Sequence, residues 1–356
     1  MYILTQIFIK VKEKNLTNAE SEVIINDMRE AEHYEKADNK RVRCILCPHY
    51  CVISPGKYGQ CRGRKNIDGV LYATNFAECT SVAIDTIEKK PLYHYQPGKL
   101  ILSISPNSCN MKCPWCQNAE ISQEEFPTKF ISPEDMVKIA LGNASFGIAY
   151  TYTEPLTWYE YIKETGKIAK EKGLKNVLVT NGMINEKPLL EILPLIDALN
   201  IDLKSMNPDV YKRIIKGDLE TVLNTIRIAQ KHAHIEITDL LIPDLNDSTN
   251  DIKMLVDFIK EIGKDIPLHF SRYFPHYKWS APPTPAETMI KAYNIAKEEL
   301  MYVYVGNIFM SKISNDTYCP KCNNLLVERS FMSRRVVGIK DGKCSKCGRE
   351  ADIVLK

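Results

Sequence analysis

The chain has 356 residues, 44% hydrophobic, 9% aromatic and 26% charged. This globular composition excludes disorder as the main state and implies two or three domains, or one α/β barrel that takes up most of the length. Lys plus Arg number 47 and Asp plus Glu 44, a net charge of +3, so the field of the whole chain points to neither nucleic acid nor acidic lipid. No run of about 18 apolar residues predicts a membrane span. The opening lacks a basic segment and a small-residue cleavage site, so a cytoplasmic protein is expected.

In chain order, residues 1–40 form an N-terminal extension, charged and weakly patterned, for which a short helix and a lead-in are expected, with Met28 as a second possible start. Residues 41–98 form a cysteine-rich module and a linker. The run Cys44, Cys47, Cys51, Cys61 is interrupted by Pro48, Pro55, Gly56 and Gly59, so it is rich in loops and needs a cross-link to hold its shape. Residues 99–307 alternate strand-like and helix-like segments. Strands are expected at Leu100–Ser105, Gly147–Thr153, Asn176–Asn181, Ala198–Lys204, His234–Ile242, Pro267–Phe274 and Met301–Val305, apolar runs of the kind buried on both faces of a parallel sheet. One helix opens with Ser132-Pro133-Glu134-Asp135, which combines an N-cap, a first-turn proline and an acidic first turn. Repeated β-α units predict an α/β fold, a partial TIM barrel of about six strands with its chemistry at the strand C-terminal ends. Residues 308–356 end in two CxxC pairs around a hairpin turn at Asp341-Gly342 and form a third, metal-stapled module.

All of the 12 cysteines except Cys79 fall into three clusters, and such spacing in a long intracellular chain points to metal rather than disulfides. Cys109, Cys113 and Cys116 follow directly on the first barrel strand. Three thiolates can each hold one iron of a [4Fe-4S] cluster and leave the fourth iron open to a substrate or cofactor; zinc with a distant His is the alternative. Cys44, Cys47, Cys51 and Cys61 make a closed site that suits a structural zinc and a second iron-sulfur cluster equally, with His49 beside them expected in solvent. Cys319, Cys322, Cys344 and Cys347 form two knuckles that close a zinc-ribbon-like tetrahedron, or a rubredoxin-like iron site. Arg329, Arg334, Arg335 and Lys340 read as a solvated face, so no nucleic acid is expected there. Cys79 reads as a small buried apolar residue.

The CxxxCxxC run, with Trp115 just before its last cysteine, resembles the radical S-adenosylmethionine (SAM) superfamily. The resemblance implies that the open iron binds the amino and carboxylate groups of SAM, and that reductive cleavage of the sulfonium releases a 5′-deoxyadenosyl radical that takes a hydrogen atom from substrate. Thr151-Tyr152-Thr153-Glu154-Pro155 sits where that superfamily has a Gly-Gly-Glu-Pro type segment, which implies Thr153 and Glu154 at the SAM amino group. Thr180-Asn181-Gly182 and Asp202-Leu203-Lys204 resemble the TNG and DLK segments of pyruvate formate-lyase activating enzyme relatives. By that resemblance Lys204 meets the SAM carboxylate, with Asp202 and Asn181 beside it. Those activases have an Asp before the TNG where this chain has Val179. His269 and Arg272, in HFSRYFP, are further candidates at the same rim. Thr238, Asp244 and Asn246 are weaker ones.

Several separated motifs match more closely. Arg43 to Cys61 reads RCxLCPHxCxxxxGxxGxC and Ile87 to Gly98 reads IEKKPLYHYQPG; with SRYFPHYK, YVYVGN and the paired CxxC motifs, they resemble the radical SAM protein of the system that also contains an AMMECR1-domain protein and a Memo-type protein. The resemblance implies an activase-like oxidoreductase with those two partners and a flavodoxin or ferredoxin electron donor. In the linker, Glu88, Lys89 and His94 either reach substrate or pack. Two other functions stay open: a glycyl-radical enzyme activase, and a metal-stapled scaffold or binding protein that cleaves no SAM.

Overall fold

The computed structural model describes residues 29–308, 313–330 and 334–356. Residues 1–28 of the expected extension, with Met28 as a start, lie outside the described residues; where a helix is expected within 1–40, the described part holds the strands Arg29–Glu30 and Tyr34–Lys36 instead. Two compact units divide the chain. One comprises the described part of Met1–Asp85 with Ile101–Asn110 and Asn118–Asn176; the other comprises Thr86–Leu100, Met111–Gln117 and Val177–Lys356.

In the first unit the cysteine-rich module folds as two small antiparallel sheets. Arg29–Glu30 and Arg64–Ile67 flank Val70–Ala73 in one, and Tyr34–Lys36, Val42–Cys44 and Val52–Ile53 pair in chain order in the other. Core strands β1 (Leu100–Ser105) and β2 (Gly147–Tyr150) run parallel, with Ile148 opposite Leu102. Between them lies α1 (Pro133–Gly142), whose Ser132 cap accepts Asp135 N at 3.1 Å. After β2 comes α2 (Tyr159–Glu171), which buries Tyr161, Ile162 and Ala169.

In the second unit β3 (Lys175–Thr180), β4 (Ala198–Asp202), β5 (His234–Leu241), β6 (Leu268–Arg272) and β7 (Val303–Gly306) run parallel in chain order. Helices α3 (Glu186–Ile192), α4 (Leu219–Ala229), α5 (Thr249–Ile262) and α6 (Ala286–Glu299) connect them. The fold is therefore α/β with a mostly parallel central sheet, as the alternating pattern predicts. The strands end earlier than the apolar runs suggest: β2 stops at Tyr150 rather than Thr153, and β4 at Asp202 rather than Lys204. The residues beyond turn away to build loops.

The sheet of the second unit is not apolar on both faces. Side chains two residues apart share a face, and the pairings Asn200 with Glu236, Thr238 with His269, and His269 with Tyr304 align those residues in one polar row. The linker covers this row. Tyr93 N and His94 N donate to the Glu236 carboxylate at 2.9 and 2.7 Å, and Asn200 Nδ2 donates to Pro91 O at 2.8 Å. Packing, rather than substrate, accounts for His94. Glu88 is also buried; one carboxylate oxygen accepts Gly98 N at 2.7 Å and the other lies 3.5 Å from Arg334. The C-terminal module carries a three-stranded antiparallel sheet of Thr317–Tyr318, Leu325–Arg329 and Arg334–Val336. It is tied to the linker by Val354 N donating to His94 O and Gln96 N to Val354 O, both at 2.8 Å.

Candidate active site

In the first unit the loops that follow β1 and β2 are bonded to each other. Thr151 N donates to Ile104 O at 2.9 Å, Glu154 N to Ser108 O at 3.3 Å and Thr153 Oγ1 to Pro106 O at 3.1 Å. Tyr152 takes a left-handed backbone (φ +65°), which turns the Thr153-Glu154 peptide out of the strand. Glu154 is buried and caps the turn Pro155–Trp158, its Oε1 accepting Leu156 N at 2.9 Å. Ser108, just before Cys109, is buried with its Oγ 2.6 Å from Thr157 Oγ1 and 3.0 Å from Asn75 Nδ2. Asn110, just after Cys109, accepts His49 Nε2 on its carbonyl at 2.6 Å. Cys109 is thus held through both neighbours. His49, expected in solvent, is half-buried: the turn between Cys47 and Cys51 brings its ring to the Asn110 carbonyl.

Cys113 and Cys116 belong to the second unit. Lys112 N donates to Ile215 O at 2.8 Å, Lys278 N to Pro114 O at 2.8 Å and His276 Nε2 to Gln117 O at 2.9 Å. Trp115 is buried edge-on against Trp279, with ring centroids 5.6 Å apart. The segment after β6 therefore clamps this half of the loop. Val210–Ile215 is a π-helix, a form concentrated at functional sites, and its Tyr211 hydroxyl accepts Lys204 N at 3.1 Å.

Lys204 Nζ lies 3.1 Å from Asp202 Oδ2. Burial alone lowers the pKa of Lys204, but the Asp202 carboxylate and the Cys113 thiol outweigh it and hold the ammonium charged. Burial pushes the Cys113 thiol up to about 11, against the pull of Lys204. Behind them Asp239 is fully buried, and desolvation raises its pKa well above the usual carboxylate range despite Lys204. Asn246 bridges the group, donating to Asp239 Oδ1 at 2.9 Å and Lys204 O at 3.1 Å. Asn181 Oδ1 accepts Met183 N at 2.9 Å in a tight turn at Gly182. There φ is +71° and an added Cβ would come 3.2 Å from Ile201 Cγ2, so glycine is required. Arg272 Nε donates to Thr284 O at 2.7 Å, and His269 Nε2 to Glu236 Oε2 at 2.6 Å. Glu236 and Asp239 were not among the expected site residues. Their signal is two acidic residues within the otherwise apolar run HIEITDLL.

Comparison with known proteins follows the same lines. Residues 103–259 match the Radical SAM superfamily. Over 337 residues, 92% of this chain and the whole of the relative, the chain is 44% identical to the uncharacterized protein MJ0808 of Methanocaldococcus jannaschii. The chain belongs to the radical SAM superfamily. It is also 26% identical over 243 residues to the probable GTP 3′,8-cyclase of Methanococcus vannielii, covering 63% of this chain and 79% of that one. With the pyruvate formate-lyase 1-activating enzyme of Escherichia coli it shares 22% identity over 184 residues, 49% of this chain and 74% of that one.

The protein is thus a radical SAM enzyme, and its superfamily implies a [4Fe-4S] cluster and SAM. The donor set fits: Cys109, Cys113 and Cys116 are soft sulfur ligands, none in a disulfide, and the Lys204 charge favours a thiolate at Cys113.

The other two cysteine sets of this radical SAM chain differ in geometry. Cys319 and Cys347 have Sγ atoms 3.6 Å apart, as do Cys322 and Cys344, and all four lie within 4.8 Å of one another. A tetrahedral ion with Zn–S bonds of about 2.3 Å spaces its sulfurs by ~3.8 Å, so this set is shaped for one metal ion. The two knuckles match: Asn323 N donates to Cys319 O and Gly348 N to Cys344 O, both at 2.9 Å, with left-handed backbone at Asn323 and Gly348. Among the described residues, no three of Cys44, Cys47, Cys51 and Cys61 are drawn together in this way. They still form one group, for burial and the neighbouring Cys44 thiol push Cys61 up to about 11 against the pull of Arg64.

Proposed function

We propose that this radical SAM enzyme serves the system that also contains an AMMECR1-domain protein and a Memo-type protein, where it abstracts a hydrogen atom from a substrate. The RCxLCPHxC and IEKKPLYHYQPG segments support that assignment, and the half-buried Lys204–Asp202 pair beside the Cys113 thiol carries the enzymatic reading. When bound, the cluster and SAM supply a reductively generated 5′-deoxyadenosyl radical. In the first unit, Glu154 and the turned-out Thr153 peptide receive the SAM amino group. In the second, Lys204 receives the SAM carboxylate, with Asp202 fixing the ammonium and Asn181 shaping the adjoining turn. Trp115 is packed to hold the loop between Cys113 and Cys116. His269 and Arg272, committed to Glu236 and to Thr284 O, act in supporting these elements. A flavodoxin or ferredoxin is the electron donor, and the C-terminal set holds zinc. A cytoplasmic setting suits so many reduced thiols, and no helix among the described residues is long and apolar enough to cross a membrane.

The test adds AMMECR1-domain and Memo-type proteins from one organism to the reduced enzyme with SAM, and follows 5′-deoxyadenosine together with the mass of every component. A product made only in the mixture supports the reading. A second reading, activation of a glycyl-radical enzyme, is favoured by the likeness to the Escherichia coli activating enzyme. A glycyl-radical resonance in such a partner, with no product in the mixture, would replace the first reading by the second.

A further inference from the structure

The geometry points to Cys44, Cys47, Cys51 and Cys61 as the seat of a closed iron-sulfur cluster, rather than a zinc ion, that passes single electrons toward the CxxxCxxC loop. Three observations carry this. First, the chain holds two complete four-cysteine sets of different shape. The C-terminal sulfurs sit at the 3.6 Å expected around one ion. The N-terminal ones include no three within 4.8 Å of one another, although Cys44 N donates to Cys51 O at 2.9 Å and the set shares one small module. A cluster of more than one iron divides the thiolates among separate irons and so spreads them beyond the spacing around a single ion.

Second, Arg64 is 1% exposed beside this set, and its charge interacts with Cys44 and Cys61. Its Nη1 donates to Glu32 O at 2.6 Å and its Nη2 to Glu160 Oε1 at 2.5 Å, but its Nε, also buried, has no hydrogen-bond partner among the described residues. A buried donor without an acceptor is costly. Cluster sulfur supplies an acceptor, and a cation there favours the reduced, more negative state. Close packing holds the segment: an added Cβ on Gly63 would come 2.5 Å from Asn75 Nδ2.

Third, His49 lies between two of the four cysteines and donates to the carbonyl of Asn110, next to Cys109, at 2.6 Å. The site is therefore one hydrogen bond from the residue that follows Cys109. The cluster takes one electron from a reduced carrier of the flavodoxin or ferredoxin class and gives one up; no bond forms or breaks and no proton moves. The direction of transfer rests on the function proposed above, whereas the identity of the cluster does not.

The test uses the full chain, reconstituted anaerobically with iron and sulfide, beside a Cys109→Ala/Cys113→Ala/Cys116→Ala variant and that variant with Cys47→Ser and Cys51→Ser added. The expected contents are iron and sulfide in equal amounts in the triple variant, about four more of each in the parent and near zero in the last, with about one zinc throughout. A reduced-cluster paramagnetic resonance signal should survive in the triple variant. About two zinc per parent chain, or iron without sulfide in the triple variant, would overturn the assignment. If the parent cleaves no SAM while the triple variant keeps its iron and sulfide, the proposed function falls and the cluster stands. Arg64→Met, made together with Glu160→Gln so that no buried charge is left alone, should move the midpoint potential of the triple variant's cluster to a more negative value. An unchanged potential would remove Arg64 from the site.

Discussion

Tyr304 Oη lies 2.7 Å from His94 Nε2, and this contact completes the single tautomer of the linker histidine. Burial disfavours the imidazolium; His94 Nδ1 faces Asp352 O at 2.6 Å and must donate to it, so in the neutral ring Nε2 is bare and accepts the Tyr304 proton. Tyr304 in turn accepts from Thr317 Oγ1 at 2.7 Å, and Thr317 accepts Arg329 Nη1 at 2.6 Å. The chain of donors has one direction and ends on a neutral imidazole.

Acid should therefore loosen the fold before its carboxylates titrate. Burial lowers the His94 pKa to about 4, while the unfolded value is near 6.5. Between those values the unfolded chain binds a proton that the folded chain does not, so stability is full above pH 6.5 and falls as pH drops toward 4, by up to about 3 kcal/mol. Urea unfolding at intervals from pH 7 to 4.5 should show the decline, and His94→Gln should flatten it. An equally steep decline in His94→Gln would assign the effect elsewhere.

Glu236 is the acceptor on which the linker hangs. It takes Tyr93 N, His94 N, His234 Nε2 and His269 Nε2 at 2.9, 2.7, 3.0 and 2.6 Å. Glu236→Ala should cost about 3–5 kcal/mol, the usual penalty for removing one side of a buried, hydrogen-bonded charge group. Glu236→Gln, which keeps one oxygen, should cost less. A loss below about 0.5 kcal/mol for Glu236→Ala would show that the linker is held by other contacts.

Lys204→Met should weaken SAM binding about 10- to 100-fold, the loss of about 1.4–2.8 kcal/mol for one charge-assisted contact. Titrating SAM into the reduced enzyme and following the cluster's paramagnetic resonance spectrum measures this. Lys204→Arg should recover part of the affinity. Wild-type affinity in Lys204→Met would move the carboxylate contact to another residue.

Cys344→Ser should remove about one zinc per chain and leave the iron content unchanged, as read by metal analysis of the purified protein. It should also lower thermal stability, because Cys344 and Cys319 form a small core with Leu326, Val327 and Ile353. Loss of iron instead would place iron in the C-terminal set.

Much of this was legible from the sequence where a pattern repeats. The seven core strands lie where the apolar runs place them, and the Ser132 cap forms as its residues predict. Strand ends were overrun because Thr151–Thr153 and Leu203–Lys204 continue the apolar or β-branched pattern while their backbone has already turned into a loop. The polar row of Asn200, Glu236, Thr238, His269 and Tyr304 was not legible as such. Alternation within an apolar strand is weak, and only strand register shows that these residues share a face. Contacts far apart in sequence, such as His49 with Asn110 and Glu236 with the linker, leave no local signal at all.

The most direct measurement reduces the anaerobically reconstituted enzyme, adds SAM and separates the products by chromatography, beside the Cys109→Ala/Cys113→Ala/Cys116→Ala variant. The account predicts 5′-deoxyadenosine from the parent chain and none from the variant. Equal product from both, or none from a parent whose cluster is reduced and has SAM bound, would contradict it.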